Sequence, residues 1–156
     1  MRIGVISDTH DNIPKIKKAV NFFNSRKVDL VLHAGDYIAP FSVIVLNRLK
    51  CPYLGVFGNN DGEKKGLAQK SADKIKAGPL ETNLLNKKIL LVHDLAGVSL
   101  RKKYDLVIHG HTHIHAINTR NSTLLINPGE CCGWLTGKST LAIVELPHLS
   151  AKIFKI

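Results

Sequence analysis

RIGVISDTH, residues 2–10, passes from an apolar run straight into two side chains able to bind metal. RIGVIS has the continuous apolar character of a strand buried on both faces, and Asp8 and His10 follow at its end. The same join recurs along the chain. DLVLHA (29–34) runs into Gly35-Asp36, YLGVF (53–57) into Gly58-Asn59-Asn60-Asp61, KILLV (88–92) into His93-Asp94, and DLVIH (105–109) into Gly110-His111-Thr112-His113. In open α/β sheets the carboxyl ends of the strands meet at one crevice. Five strands that each end in ligand chemistry therefore predict a single site, and the glycines at 35, 58 and 110 let the backbone turn sharply beside it.

The segments between these strands read as helices. Asn12 offers a cap and Pro14 a first-turn residue, and Ile13, Ile16, Ala19, Val20 and Phe23 follow at helical spacing. Pro40–Lys50 reads as a largely apolar helix, and a lysine-rich stretch near 63–76 as another. After Gly78-Pro79 the pattern changes. Leu80–Leu85 and Lys88–Val92 read as strands joined by a turn at Asn86-Lys87, a short helix fits 95–103, and INTRNSTLLIN, STLAIVEL and AKIFKI read as antiparallel strands. A βαβαβ half followed by a strand-rich half predicts an α/β sandwich, as one domain over residues 1–156.

Composition narrows the class further. The chain is 44% hydrophobic and 22% charged, as expected of a globular protein with a real core. Its longest apolar run, VIVL at 43–46, is too short to span a bilayer. The three cysteines, Cys51, Cys131 and Cys132, lack CxxC spacing and read as reduced thiols, in keeping with a cytoplasmic location. The formal net charge of +10 favours anionic substrates. The lysines are spread along helix faces with little aromatic interleaving, so solvated surface explains them better than a nucleic-acid groove.

Asp8, His10, Asp36, Asn59, His93, His111 and His113 together supply two carboxylates, one amide oxygen and four imidazoles. That is too many donors for one tetrahedral ion and suits two. Asp36 is the natural bridge, because one carboxylate can hold both cations and offset their repulsion. Two cations about 3.5–4 Å apart clamp the attacking and leaving oxygens of a displacement at phosphorus. Taken singly, Asp8 and Asn59 could be turn formers and His93 a buried core residue. The joint pattern at five strand ends overturns that reading. His33, inside its strand, is expected to support the site through hydrogen bonds rather than to bind metal. His109 is expected to be the last buried residue of its strand and not a ligand.

The set DTH, GD, GNND, VH and GHTH, in that order, resembles the calcineurin-like metallophosphoesterases, and MRIGVISDTHDN resembles their small prokaryotic phosphodiesterase branch. The resemblance covers residues 1 to about 130. It implies a four-layer α/β/β/α sandwich of two mixed sheets flanked by helices. It also implies one metal on Asp8, His10, Asp36 and His113 and a second on Asp36, Asn59, His93 and His111. A metal-bridging hydroxide would attack phosphorus in line. The divalent ion expected is Mn²⁺ first, with Ni²⁺, Fe²⁺ or Zn²⁺ as alternatives.

Two departures from the family matter. Where many members carry GNH this chain has GNND, so Asn60 takes the place of a histidine thought to protonate the leaving group. An amide donates a hydrogen bond but is no general acid at neutral pH, which leaves Asn60 as a phosphate contact and either water or His115 as a substitute acid. NPGECC (127–132) carries glutamate where serine is common, which alters a loop expected to face substrate. GWLTGKS (133–139) falls one residue short of a phosphate-binding loop. The function expected is hydrolysis of a small phosphodiester, with no membrane partner, nucleic acid less favoured, and a homo-oligomer compatible. The alternatives are a weakly catalytic metal-binding scaffold subunit or a nuclease acting on nucleic-acid ends.

Overall fold

Alternation along β1 (Arg2–Ile6) assigns its residues to two different cores. Ile3 and Val5 point into one and Ile6 into the other. The computed structural model describes residues 1–96, 98–99 and 103–156. After β1 come α1 (Ile13–Ser25), β2 (Leu30–His33), α2 (Pro40–Leu46), β3 (Tyr53–Val56), α3 (Lys64–Lys70) and β4 (Ile75–Lys76). The second half holds β5 (Leu80–Leu84), β6 (Lys87–Leu91), β7 (Leu106–Ile108), β8 (Ala116–Arg120), β9 (Thr123–Asn127), β10 (Thr140–Glu145) and β11 (Ser150–Lys155).

These strands form two mixed sheets. One has six strands in the order β11-β10-β1-β2-β3-β4, the other five in the order β5-β6-β7-β9-β8. β1 to β4 run parallel, as βαβ units require, while β10 returns antiparallel to β1. β6, β7 and β9 are parallel, with antiparallel β5 and β8 at the edges. Ile3, Val5, Leu32, Ala142 and Val144 of the first sheet meet Ile89, Leu91, Leu106, Ile108 and Ile126 of the second in one apolar layer.

The helices lie over the other face of the six-stranded sheet. Ile16, Ala19, Val20 and Phe23 of α1, Val43, Val45 and Leu46 of α2, and Leu67 of α3 join Ile6, Val31, Leu141 and Ile143 there. Leu90 and Val107, facing outward from the second sheet, are covered by Tyr104 with Leu95 and Val98. The chain is thus the expected α/β sandwich of two mixed sheets flanked by helices. Asn12 caps α1 by accepting the Lys15 N–H at 3.3 Å, and Pro14 lies in the first turn. Among the described residues no helix is long and apolar enough to cross a membrane.

Three boundaries differ from expectation. α2 stops at Leu46 rather than Lys50, its tail tightening into turns in which the Arg48 and Leu49 N–H groups bond three residues back. The lysine-rich helix stops at Lys70, because Ala72 and Asp73 turn left-handed (φ +51° and +57°) and feed β4. The turn between β5 and β6 falls on Leu85-Asn86, both at positive φ, one residue earlier than expected. The short helix expected over 95–103 includes all the residues outside the described set. Of the others in it, Leu95, Ala96, Val98, Ser99 and Lys103, none is helical.

Candidate metal centre

The loops that follow β1, β2, β3, β6 and β7 meet where the strands end. The first two loops are tied together by their backbones: Asp8 N–H donates to the Gly35 carbonyl at 3.0 Å, and the Thr9 and His10 N–H groups donate to that of Asp36 at 3.0 and 3.1 Å. These bonds need unusual dihedrals. Asp8, His10, Asp36, His111 and His113 all have positive φ, between +38° and +69°. Left-handed backbone at non-glycine residues costs of order 1–3 kcal/mol each and persists where surrounding structure enforces it, commonly at functional sites. Gly35, at φ +99°, lets the β3 loop approach; a Cβ there would stand 2.8 Å from Gly58 N.

Asp8, His10, Asp36 and His113 each aim one donor atom at a common point, all four atoms within 4.8 Å of one another. Asp8 and Asp36 are buried, at 0% and 1% exposure. Burial, with Asp36 nearby, pushes the Asp8 carboxyl above the usual carboxylate range. Among the described residues, Asp8 Oδ1 and His10 Nε2 are buried without a hydrogen-bond partner. Orphaned buried acceptors are costly, and a divalent cation would satisfy both. The residues fit such an ion.

A second group adjoins the first through Asp36. Its Oδ2 lies 3.4 Å from His10 Nε2 and 3.5 Å from His93 Nε2. His93 Nε2 and His111 Nδ1 stand 2.8 and 2.9 Å from Asn59 Oδ1. His93 Nδ1 donates to the Ala34 carbonyl at 2.7 Å, so a neutral ring turns a lone pair, not a proton, toward that amide oxygen. Two acceptors face each other, an arrangement that a cation between them relieves. His113 repeats the device: its Nδ1 donates to Glu130 Oε2 at 2.9 Å, leaving Nε2 to face Asp8 Oδ1 at 3.5 Å.

All seven sequence-predicted ligands therefore gather at the strand ends. Asn60 joins them, its N–H donating to Asp36 Oδ1 at 2.9 Å and its Nδ2 to Oδ2 at 2.7 Å. His115 does not. It is exposed just before β8, its backbone against Gly129, and its ring shares no hydrogen bond with the seven among the described residues. His109 is half-buried beside Asn127 and the Gly110 carbonyl, and burial lowers its pKa. Buried His33 accepts the Gly35 N–H on Nδ1 at 3.1 Å. Its Nε2 proton therefore points at Thr9 Oγ1, 3.2 Å away, and that hydroxyl donates to the Asp36 carbonyl.

Two carboxylates that the motif reading left without a role complete the framework. Asp61 accepts the N–H groups of Asp36, Tyr37, Ile38 and Gly58 at 2.7–3.1 Å, lacing the loops after β2 and β3. Burial pushes its carboxyl up in spite of these donors. Glu130 is 0% exposed and accepts from His113, Cys132 and the Leu135 and Thr136 N–H groups. Burial alone would raise its pKa; hydrogen bonds from Thr136, His113 and Cys132 outweigh it and hold the group at about 2. The only sequence signal for Glu130 was an acid inside NPGECC. That segment is buried rather than a loop facing substrate: the Cys131 and Cys132 N–H groups donate to the Ser7 and Asp8 carbonyls. The exposed part is 134–138, where Trp134 and Leu135 are 66% and 75% exposed.

Known proteins resemble the chain in both sequence and fold. The chain is similar to a phosphodiesterase of Methanocaldococcus jannaschii, 35% identical over 154 residues and 93% of each chain. It superposes on the solved structure of an archaeal phosphodiesterase with a TM-score of 0.90, at 32% identity and full coverage of both chains. A phosphoesterase from E. coli shares the fold alone, with a TM-score of 0.79 at 18% identity over 100% of this chain and 98% of that one. Residues 1–148 match the calcineurin-like phosphoesterase superfamily domain, so the chain belongs to that superfamily of phosphoester hydrolases.

Proposed function

We propose that this protein is a dinuclear, divalent-metal-dependent phosphodiesterase that hydrolyses small phosphodiesters by in-line displacement. The observation that carries the reading is Asp36 Oδ2, which lies between His10 Nε2 and His93 Nε2 at 3.4 and 3.5 Å. One oxygen thereby adjoins both ligand sets: Asp8, His10 and His113 on one side, Asn59, His93 and His111 on the other. Two cations held by these residues would supply a water of lowered pKa and charge stabilisation on the phosphoryl oxygens. Mn²⁺ suits the mixed nitrogen and oxygen donors, as do Ni²⁺, Fe²⁺ and Zn²⁺.

The chain's own residues orient the centre. The Ala34 carbonyl and Glu130 hold His93 and His113 in the tautomer that presents Nε2 inward. Asn60 Nδ2, which donates to Asp36 Oδ2 at 2.7 Å, would donate to a phosphoryl oxygen instead if Asp36 held cations. It cannot protonate a leaving group, so esters with good leaving groups react best. His115, outside the hydrogen-bonded cluster, would serve as an acid only with substrate in place. Free Cys51, Cys131 and Cys132 suit a reducing compartment, and on that ground we place the protein in the cytoplasm.

With Mn²⁺ or Ni²⁺ added, the purified protein should hydrolyse bis-p-nitrophenyl phosphate, and Asp36→Asn should lose most of the rate. No turnover with any divalent ion, despite bound metal, would contradict the proposal.

A further inference from the structure

Cys132 stands where a cation held by His10 and His113 can reach sulfur. Its Sγ, one ring nitrogen of His10 and one of His113 lie within 4.8 Å of one another. The residue is 2% exposed, and its S–H donates to Glu130 Oε2 at 3.0 Å. That same oxygen accepts from His113 Nδ1, so one carboxylate orients both the ring and the thiol. Asp8 Oδ1, fully buried and without a hydrogen-bond partner among the described residues, faces the same rings, 3.5 Å from His113 Nε2 and 3.9 Å from His10 Nε2. The two imidazoles therefore belong to two overlapping donor sets. One is completed by the carboxylates of Asp8 and Asp36, the other by the Cys132 thiol.

The two sets suit different ions. Mn²⁺ and Mg²⁺ favour carboxylate oxygen, whereas zinc and cadmium bind thiolate strongly. We propose that Cys132 is a ligand for thiophilic cations. Cd²⁺ entering at His10 and His113 is drawn toward a His10–His113–Cys132 site and away from Asp36. The S–H bond breaks as the sulfur–metal bond forms, the proton passes to solvent, and nothing is oxidised or reduced. Cys131 is no substitute, because it is fully buried and packed in the core beneath α1 and α2. This inference rests on the reading of His10 and His113 as metal ligands, but not on hydrolysis.

The test is a titration of the metal-free protein with Cd²⁺, following the ultraviolet sulfur-to-cadmium charge-transfer band and proton release. Wild type should show the band growing to saturation, with one proton released per sulfur-bound ion. Cys132→Ser should lack the band while still binding Mn²⁺ by electron paramagnetic resonance. The double variant Cys51→Ser/Cys131→Ser, whose only thiol is Cys132, should keep it. Cd²⁺ binding without the band in wild type or in the double variant would overturn the proposal, as would a full band in Cys132→Ser. Hydrolysis of a diester with Mn²⁺ is scored separately. Its failure with the band intact would strike the phosphodiesterase reading and leave this site standing.

Discussion

Gly58 supplies no ligand, yet one methyl group added there tests how tightly Asp36 is held. A Cβ at position 58 would stand 2.5 Å from Asp36 N and 2.7 Å from its Cγ, and nearer still to Oδ1. Non-bonded carbons settle near about 3.5 Å, so the two residues must separate by roughly 0.8 Å. Neither has room to yield. Asp36 is 1% exposed, and the Asp36 and Gly58 N–H groups share Asp61 Oδ2 at 3.1 and 2.7 Å. Overpacking of this kind costs about 1–3 kcal/mol, which a domain stable by about 5–15 kcal/mol survives. The catalytic cost is larger, because a misplacement near 1 Å lowers turnover by about 10²-fold. Gly58→Ala should therefore fold, melt at a somewhat lower temperature, and hydrolyse bis-p-nitrophenyl phosphate about 10²-fold more slowly with Mn²⁺. Gly62→Ala, where a Cβ meets nothing within 4 Å, should keep the wild-type rate. A Gly58→Ala enzyme with wild-type rate and metal content would refute the claim that the β3 loop fixes Asp36.

Three further outcomes follow from the same geometry. Glu130 titrates at about 2 against an ordinary 4.5, so its ionised form stabilises the metal-free fold by about 3 kcal/mol. Because the folded pKa is the lower one, that contribution is complete above about pH 4.5 and fades as pH falls toward 2. The stability gap between wild type and Glu130→Gln, from urea melts in a chelator, should shrink over that window; a pH-independent gap would count against it. Trp134 is the only tryptophan, and its indole N–H donates to the His10 carbonyl at 3.3 Å. Ni²⁺ or Co²⁺ should quench its emission saturably, and an emission indifferent to bound metal would argue against an ion beside His10. Asn60→His should speed cleavage of esters with alkoxide leaving groups more than p-nitrophenyl esters. Equal effects on both would remove the argument from the missing acid.

What could be read from the sequence was whatever local chemistry repeats. Each buried strand announced itself as an apolar run, and each candidate ligand followed such a run directly, so strand ends and ligands came together. Glu130 gave no comparable signal, since its importance depends on His113, seventeen positions away and reached only when the segment before β10 folds back against β1. Asp61 was visible in GNND, but not that its two oxygens would collect four backbone N–H groups from two loops. The end of α3 was illegible for another reason: Ala72 and Asp73 turn left-handed without a glycine to mark the place. β7 stops at Ile108, which leaves His109 half-buried at its end and puts His111 and His113 in the loop beyond Gly110. The structure adds that both adopt positive φ, at +69° and +62°.

The central claim is that one carboxylate, Asp36, joins two metal positions. Anomalous diffraction at the manganese edge, from crystals of the Mn²⁺-loaded protein, tests it most directly. The account predicts two peaks about 3.5–4 Å apart, both bonded to Asp36, one also to Asp8, His10 and His113 and the other to Asn59, His93 and His111. A single peak, or two peaks that do not share Asp36, would contradict it.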